Sequence, residues 1–208
     1  PLATSARRPR QLGIRDRQLS VEVGYRNHQI VHVTLLPYIK ASEELKTKPT
    51  QHSVMKLREI GLAPDIILCR SEYKLTKSIR DKIALFCNVL PDHVVEGKEV
   101  KNIYKVPLIF HQQKLEELIA ARLQLPYSPN VSKLEQFIYR YKHPKTNVTI
   151  AMCGKYTELP DAYKSVLEAF VHAGVENDTQ VKVKWISTED MRTDEDAREG
   201  FNNIDGIL

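Results

Sequence analysis

The chain has 208 residues, 42% of them hydrophobic, and a formal charge of +5, which is enough apolar material for one large core or two small ones. No apolar run approaches the roughly 20 residues needed to span a bilayer, and no charged-then-apolar leader is present, which argues against membrane insertion and secretion. Lysine and arginine are mixed with aspartate and glutamate, and neither zinc-ligand spacing nor an aromatic-interleaved basic stripe occurs, so the charge favours a local phosphate site over a nucleic-acid surface.

The opening PLATSARRPRQLGIRD is Arg-rich and lacks a sustained apolar period, so residues 1–16 read as an atypical, flexible leader. From Gln18 the pattern changes. Leu19, Val21 and Val23 suggest a helix end, and residues 30–36 (IVHVTLL) a β-rich strand. A lysine-rich loop and a helix follow, closed by Gly61 and Pro64, then a strand at residues 65–69 (DIILC). Strand, helix, strand is a βαβ crossover, which predicts an α/β fold with a parallel sheet. Residues 76–87 put Ile79, Ile83 and Phe86 at helical spacing, and Val94 and Val95 open a further short strand.

Residues 107–145 are helical in pattern, broken at Pro126 and Pro129, and read as a linker that packs as helices. A second α/β domain starts at residue 146. It has a strand at 147–152, an amphipathic helix at 161–173 ended by Gly174, an alternating strand at 181–186 (VKVKWI) and a last apolar run at 204–208. That run reads as a buried strand. The missing initial Met and this apolar end make both termini look like cuts in a longer sequence. The cysteines, Cys69, Cys87 and Cys153, each sit in an apolar stretch and read as reduced core residues of a cytoplasmic protein, with a nucleophilic role for Cys153 disfavoured.

Residues 46–51 (KTKPTQ) carry the strongest chemical signal. Two lysines flank a threonine, a proline stiffens the loop, and a second threonine is placed for the N-cap of the next helix. Cationic and hydroxyl donors at a helix start suit an anion such as a triphosphate, although a solvated basic turn has the same composition.

The run LLPYIKASEELKTKPTQHSVMKLREIGLAPDIILCRSE, followed by KIALFCNV, IYKVP and GKYTELPDAYKSV, resembles the CTP synthases over residues 17–208. The resemblance implies a P-loop synthetase-like parallel-sheet domain, of which residues 17–106 would be the C-terminal part. Residues 107–145 would be the helical linker, and residues 146–208 the first βαβ units of a flavodoxin-like class I glutaminase domain. It implies ATP- and Mg2+-dependent amination of UTP to CTP with ammonia from glutamine, GTP activation, CTP inhibition and a homotetramer, without nucleic acid or membrane as partners. By the same resemblance the UTP/CTP site falls on Lys46, Thr47, Lys48, Pro49, Thr50, Gln51 and Lys82, and a backbone ATP contact on Val100. The three lysines would neutralise phosphate charge, with Thr50 and Gln51 as uncharged donors.

Gly154, Lys155, Tyr156, Asp161, Tyr163 and Lys164 also match family positions; they are read as helping to set the contact between domains and are assigned no catalysis. The family's Walker-type loop and magnesium ligands are expected before residue 1, and its glutaminase triad after residue 208. Where the family has Asp-Ile-Glu near the nucleotide, this chain has Ala6, Arg7 and Arg8. The piece is therefore expected to be inactive alone. The alternatives are a non-catalytic nucleotide-binding or oligomer-interface module, and a related synthetase of another amidation pathway, which would leave KTKPTQ and LFCNV unexplained.

Overall fold

The computed structural model describes residues 7–155, 157, 160–189 and 191–208. Two compact units result, Pro1–Asn130 and Val131–Leu208.

In the first unit, helix α1 (Arg7–Val23) replaces the flexible arm expected for residues 7–16. Arg, Gln and Leu are good helix formers, and the buried Gly13 lets the helix approach Ile60 so closely that a Cβ there would collide with the Ile60 side chain. Strand β1 (Val31–Leu35) leads into a small antiparallel hairpin, β2 (Tyr38–Ile39) and β3 (Glu44–Leu45), then helix α2 (Lys48–Glu59). The sequence reading treats the hairpin as a plain loop, because two-residue strands are too short to show a period. Gly61, at φ +85, closes α2 as predicted. Strand β4 (Ile66–Ser71), helix α3 (Lys77–Cys87) and strand β5 (Val94–Lys98) complete a parallel sheet in the order β1-β4-β5. Its register runs from Val31 opposite Ile66 to Leu35 opposite Arg70, and from Ile67 opposite Val94 to Ser71 opposite Lys98.

The continuous apolar run of β4 has the physical reason expected of a strand covered on both faces. Ile67 and Cys69 face Val54 of α2 and Ile83 and Cys87 of α3. Ile66 faces the other way, with Val95, towards Leu115. Leu115 belongs to the stretch expected as a linker, which the structure divides. Helices α4 (Val106–Gln112) and α5 (Leu115–Leu123) cover this second face of the sheet. Helix α6 (Ser132–Lys142) belongs to the second unit. On α3 the buried stripe is Ile83, Ala84 and Cys87, while Phe86, predicted to face inward, is 58% exposed. Stepping by four from Ile79 reaches Ile83 and then Cys87, which turns Phe86 outward.

The second unit continues from α6 with strand β6 (Thr146–Gly154), helix α7 (Lys164–Glu176), strand β7 (Thr179–Ser187), helix α8 (Asp194–Gly200) and strand β8 (Gly206–Ile207). The sheet is again parallel, ordered β7-β6-β8, with β6 central. Gly174 does not end the helix but lies buried inside it, because a Cβ would stand 2.5 Å from the Thr179 carbonyl oxygen. The terminal run pairs beside β6, where Leu208 N–H donates to Ala151 O at 2.8 Å, but it is not buried. Ile207 and Leu208 are exposed because β8 is an edge strand. Asp178 ties this unit together, accepting from Arg140 Nε and Lys145 Nζ at 2.7 Å each. These two cations hold the Asp178 carboxyl below the usual carboxylate range, Lys145 first.

Candidate functional site at the carboxyl edge of the first sheet

In an open parallel α/β sheet, ligands bind outside the carboxyl ends of the strands. Here β1, β4 and β5 end together at Leu35, Ser71 and Lys98, and every segment expected to touch a ligand in this unit leaves from that edge or lies on a helix that starts there.

After β1, the hairpin turns the chain back, and Lys46 N–H donates to Pro37 O at 2.9 Å, which fastens the start of residues 46–51. Helix α2 then begins at Lys48 with Thr47 as its N-cap, Pro49 in its first turn and no side-chain cap bond. The expected N-cap, Thr50, is instead within the helix. It shares the inner face with Val54, one turn on, and is fully buried, its hydroxyl 3.1 Å from that of Thr34 on β1. Thr47 is also buried, and it accepts from Gln51 Nε2 at 3.1 Å. Lys48 and Pro49 are exposed, and Lys46 and Gln51 half-buried. The two lysines therefore reach the solvent edge, while Thr47, Thr50 and Gln51 brace the loop from behind.

Lys46 pairs with Glu44 on β3. That bond is the main reason the Glu44 carboxyl titrates below its ordinary range, and the charge of Lys82 adds to the effect. Lys82, exposed on α3, thus lies within electrostatic reach of the hairpin that carries Lys46, although far from it in sequence. Thr76 caps α3 by accepting from Ile79 N–H at 3.3 Å, so the helix starts just past the end of β4.

Val100, half-buried, follows β5 at the same edge. Beside it Glu99 pairs with Arg70 at 3.0 Å. Asn102 N-caps the next turn by accepting from Tyr104 N–H at 2.9 Å, and its Nδ2 is buried without a hydrogen-bond partner. Tyr38 of the hairpin stacks on Tyr73 after β4, with ring centroids 4.0 Å apart. Thr34, Glu44 and the Tyr38–Tyr73 stack are parts of this edge that sequence reasoning missed. For Thr34 the sequence pointed the other way: in Val31–Leu35 apolar residues alternate with His32 and Thr34, which would turn the valines inward, whereas the structure exposes Val33 and Leu35 and buries Thr34.

Burial pushes the Cys69 thiol pKa up to about 11 and raises those of Cys87 and Cys153, and all three are unpaired. In the second unit, Gly154 ends β6, and Asp161 and Tyr163 lie in the turn before α7, which Lys164 opens. Tyr163 stands 5.4 Å, ring to ring, from Trp185. Ala6 and Tyr156 lie outside the described residues, as do the side chains of Arg7 and Arg8. Among the described residues, no group of three or more His, Cys, Asp or Glu is placed to hold a metal ion, and no helix is long and apolar enough to cross a membrane.

Comparison with known proteins places this edge in a family context. A family described as CTP synthase N-terminus matches residues 14–125. The CTP synthase of Chloroherpeton thalassium is 46% identical over 196 residues, covering 92% of this chain and 35% of that protein. That of Methanocaldococcus jannaschii is 45% identical over 198 residues, covering 92% and 37%. That of Carboxydothermus hydrogenoformans is 47% identical over 193 residues, covering 92% and 36%. The chain spans little more than a third of the length of these curated relatives.

Proposed function

Because the chain belongs to the CTP synthase family, we propose that its first unit supplies part of the UTP/CTP site of an ATP-dependent ligase that aminates UTP to CTP. Lys46, Lys48 and Lys82 hold the triphosphate. Thr47, Pro49, Thr50 and Gln51 fix the loop that presents the first two, and the backbone at Val100 meets ATP. The observation that carries this reading is the placement of Lys46, paired with Glu44, and of Lys48 at the start of α2 on the carboxyl edge of the sheet, with Lys82 near enough for its charge to act on Glu44. Cations gathered there, next to the start of α2, match the charge of a nucleotide triphosphate.

In the proposed reaction, O4 of UTP takes the γ-phosphoryl group of ATP, and ammonia displaces that phosphate to leave the 4-amino group of CTP. Glutamine supplies the ammonia, Mg2+ accompanies ATP, GTP activates, and the enzyme works as a tetramer in pyrimidine nucleotide synthesis. The described residues offer no fitting magnesium cluster, so the roles assigned to this chain are electrostatic holding and orientation. Residues 146–208 are assigned to the start of a flavodoxin-like glutaminase domain, with the boundary within the helical stretch 107–145. By itself this chain binds UTP or CTP without turnover.

A second reading, an oligomer-interface module without catalysis, is favoured by the exposed apolar side chains of Leu85, Phe86 and Leu90 around the end of α3. Calorimetric titration of this chain with UTP and CTP, with and without Lys48→Ala, tests the first reading. Loss of one charge-assisted hydrogen bond, about 1.5–3 kcal/mol, predicts affinity weakened at least about tenfold and a smaller UTP-induced rise in Tm. Binding untouched by Lys48→Ala places the phosphates elsewhere. Self-association without nucleotide binding favours the second reading.

A further inference from the structure

The loop of residues 46–51 has no side-chain N-cap, so something else must fix where its helix begins. The interior supplies it. Thr50 has no exposed surface and Thr34 only 6%, and their hydroxyl oxygens are 3.1 Å apart. Thr34 Oγ1 also lies 4.0 Å from Cys69 Sγ on the adjacent strand. The surrounding core, Leu36, Val54, Ile67 and Ile83, is apolar. Two hydroxyls in such a place satisfy each other, and removing either leaves the other buried without a strong partner.

The pair joins β1, near the carboxyl end that defines the edge, to the first turn of α2, which carries Lys48 and Gln51. We propose that Thr34 is a positioning residue for the phosphate site, holding the first turn of α2 through the Thr50 hydroxyl so that Lys48 is presented at the edge while Gln51 braces Thr47. Thr34 touches no ligand. Its effect on binding passes through Thr50. The inference rests on the reading of residues 46–51 as a phosphate-binding loop.

The test compares Thr34→Val, Thr34→Ser and the double variant Thr34→Val/Thr50→Val with the unaltered chain, using two readouts. One is hydrogen exchange at the Gln51 amide, which donates to Thr47 O at 3.1 Å and reports on the first turn without any ligand. The other is UTP affinity measured well below Tm. Thr34→Val is expected to quicken exchange and weaken UTP binding about tenfold. Thr34→Ser, which keeps the hydroxyl, restores both, and the double variant, which leaves no orphaned hydroxyl, recovers most of the loss.

Faster exchange or a lower Tm with unchanged UTP affinity would overturn the proposal and leave Thr34 a purely structural residue. Affinity lost equally in the serine variant would also overturn it, since packing rather than the hydroxyl would then be at work. If UTP binds but Lys48→Ala does not weaken it, the reading of the loop itself fails. A Thr34 effect on exchange would then describe only folding, and the positioning role falls with that reading.

Discussion

The two sheets of this chain are built alike and finished differently. Both have three parallel strands, but in the first β4 opens with an unbroken apolar run, residues 66–69, covered on both faces, with Ile66 and Ile67 fully buried. In the second, β7 alternates, so that Val181 and Val183 are half-buried while Lys182 and Lys184 are exposed. A strand packed on both faces cannot shift or roll without disturbing two layers of side chains. A strand packed on one face has more freedom. The proposed lysine site lies at the edge of the first kind of sheet, which suits a site that must hold several charges in fixed positions.

The sharpest way to break this contrast is a matched pair of truncations. Ile67→Ala removes a fully buried side chain of β4 and should cost about 2–5 kcal/mol. Val183→Ala on the half-buried face of β7 should cost about 1 kcal/mol or less. Urea unfolding followed by circular dichroism, and by fluorescence of Trp185, the only tryptophan, separates the two. Equal costs would mean that the second sheet is as tightly covered as the first.

Gly174→Ala asks how tightly α7 and the turn into β7 are packed despite that openness. In an exposed helix the change stabilises by about 0.5–1 kcal/mol. Here the new Cβ meets the Thr179 carbonyl at 2.5 Å, and overpacking should destabilise by about 1–3 kcal/mol. A rise in Tm would show that the turn yields easily.

The smallest effect concerns His32, whose Nε2 meets Ser53 Oγ at 2.9 Å between β1 and α2. Burial lowers its pKa below the ordinary 6.5, so in this window the unfolded chain binds the proton that the folded one refuses. The stability from neutral His32 is complete above pH 6.5 and declines as pH falls through the lowered folded value. Urea midpoints at pH 7 and pH 5.5 should therefore differ less in His32→Gln than in the unaltered chain. An unchanged difference would assign the acid sensitivity to other groups.

The long elements were legible because their patterns are long. The apolar stretch DIILC at residues 65–69 read as a strand, and Gly61 and Pro64 marked the helix end before it. The hairpin β2–β3 was not legible, since two residues per strand leave no period, and its left-handed Glu43, at φ 50, is not a residue type that announces a turn. Family resemblance named candidate site residues but said nothing of their arrangement. Thr50 looked like a cap and proved to be a core residue, Phe86 looked buried and proved exposed, and Glu44, the partner of Lys46, carried no signal.

By itself the sequence determined the α/β class, the order of the main elements, the absence of a membrane-spanning run and the chemical character of residues 46–51, because composition and periodicity act over a few neighbouring residues. Only the tertiary structure decided that α4 and α5 close the second face of the first sheet, that Gly174 answers a carbonyl rather than a helix end, and that Thr34 meets Thr50. Each of these depends on which side chain an element turns inward and on what it meets there, and such contacts are set by residues far apart in the chain.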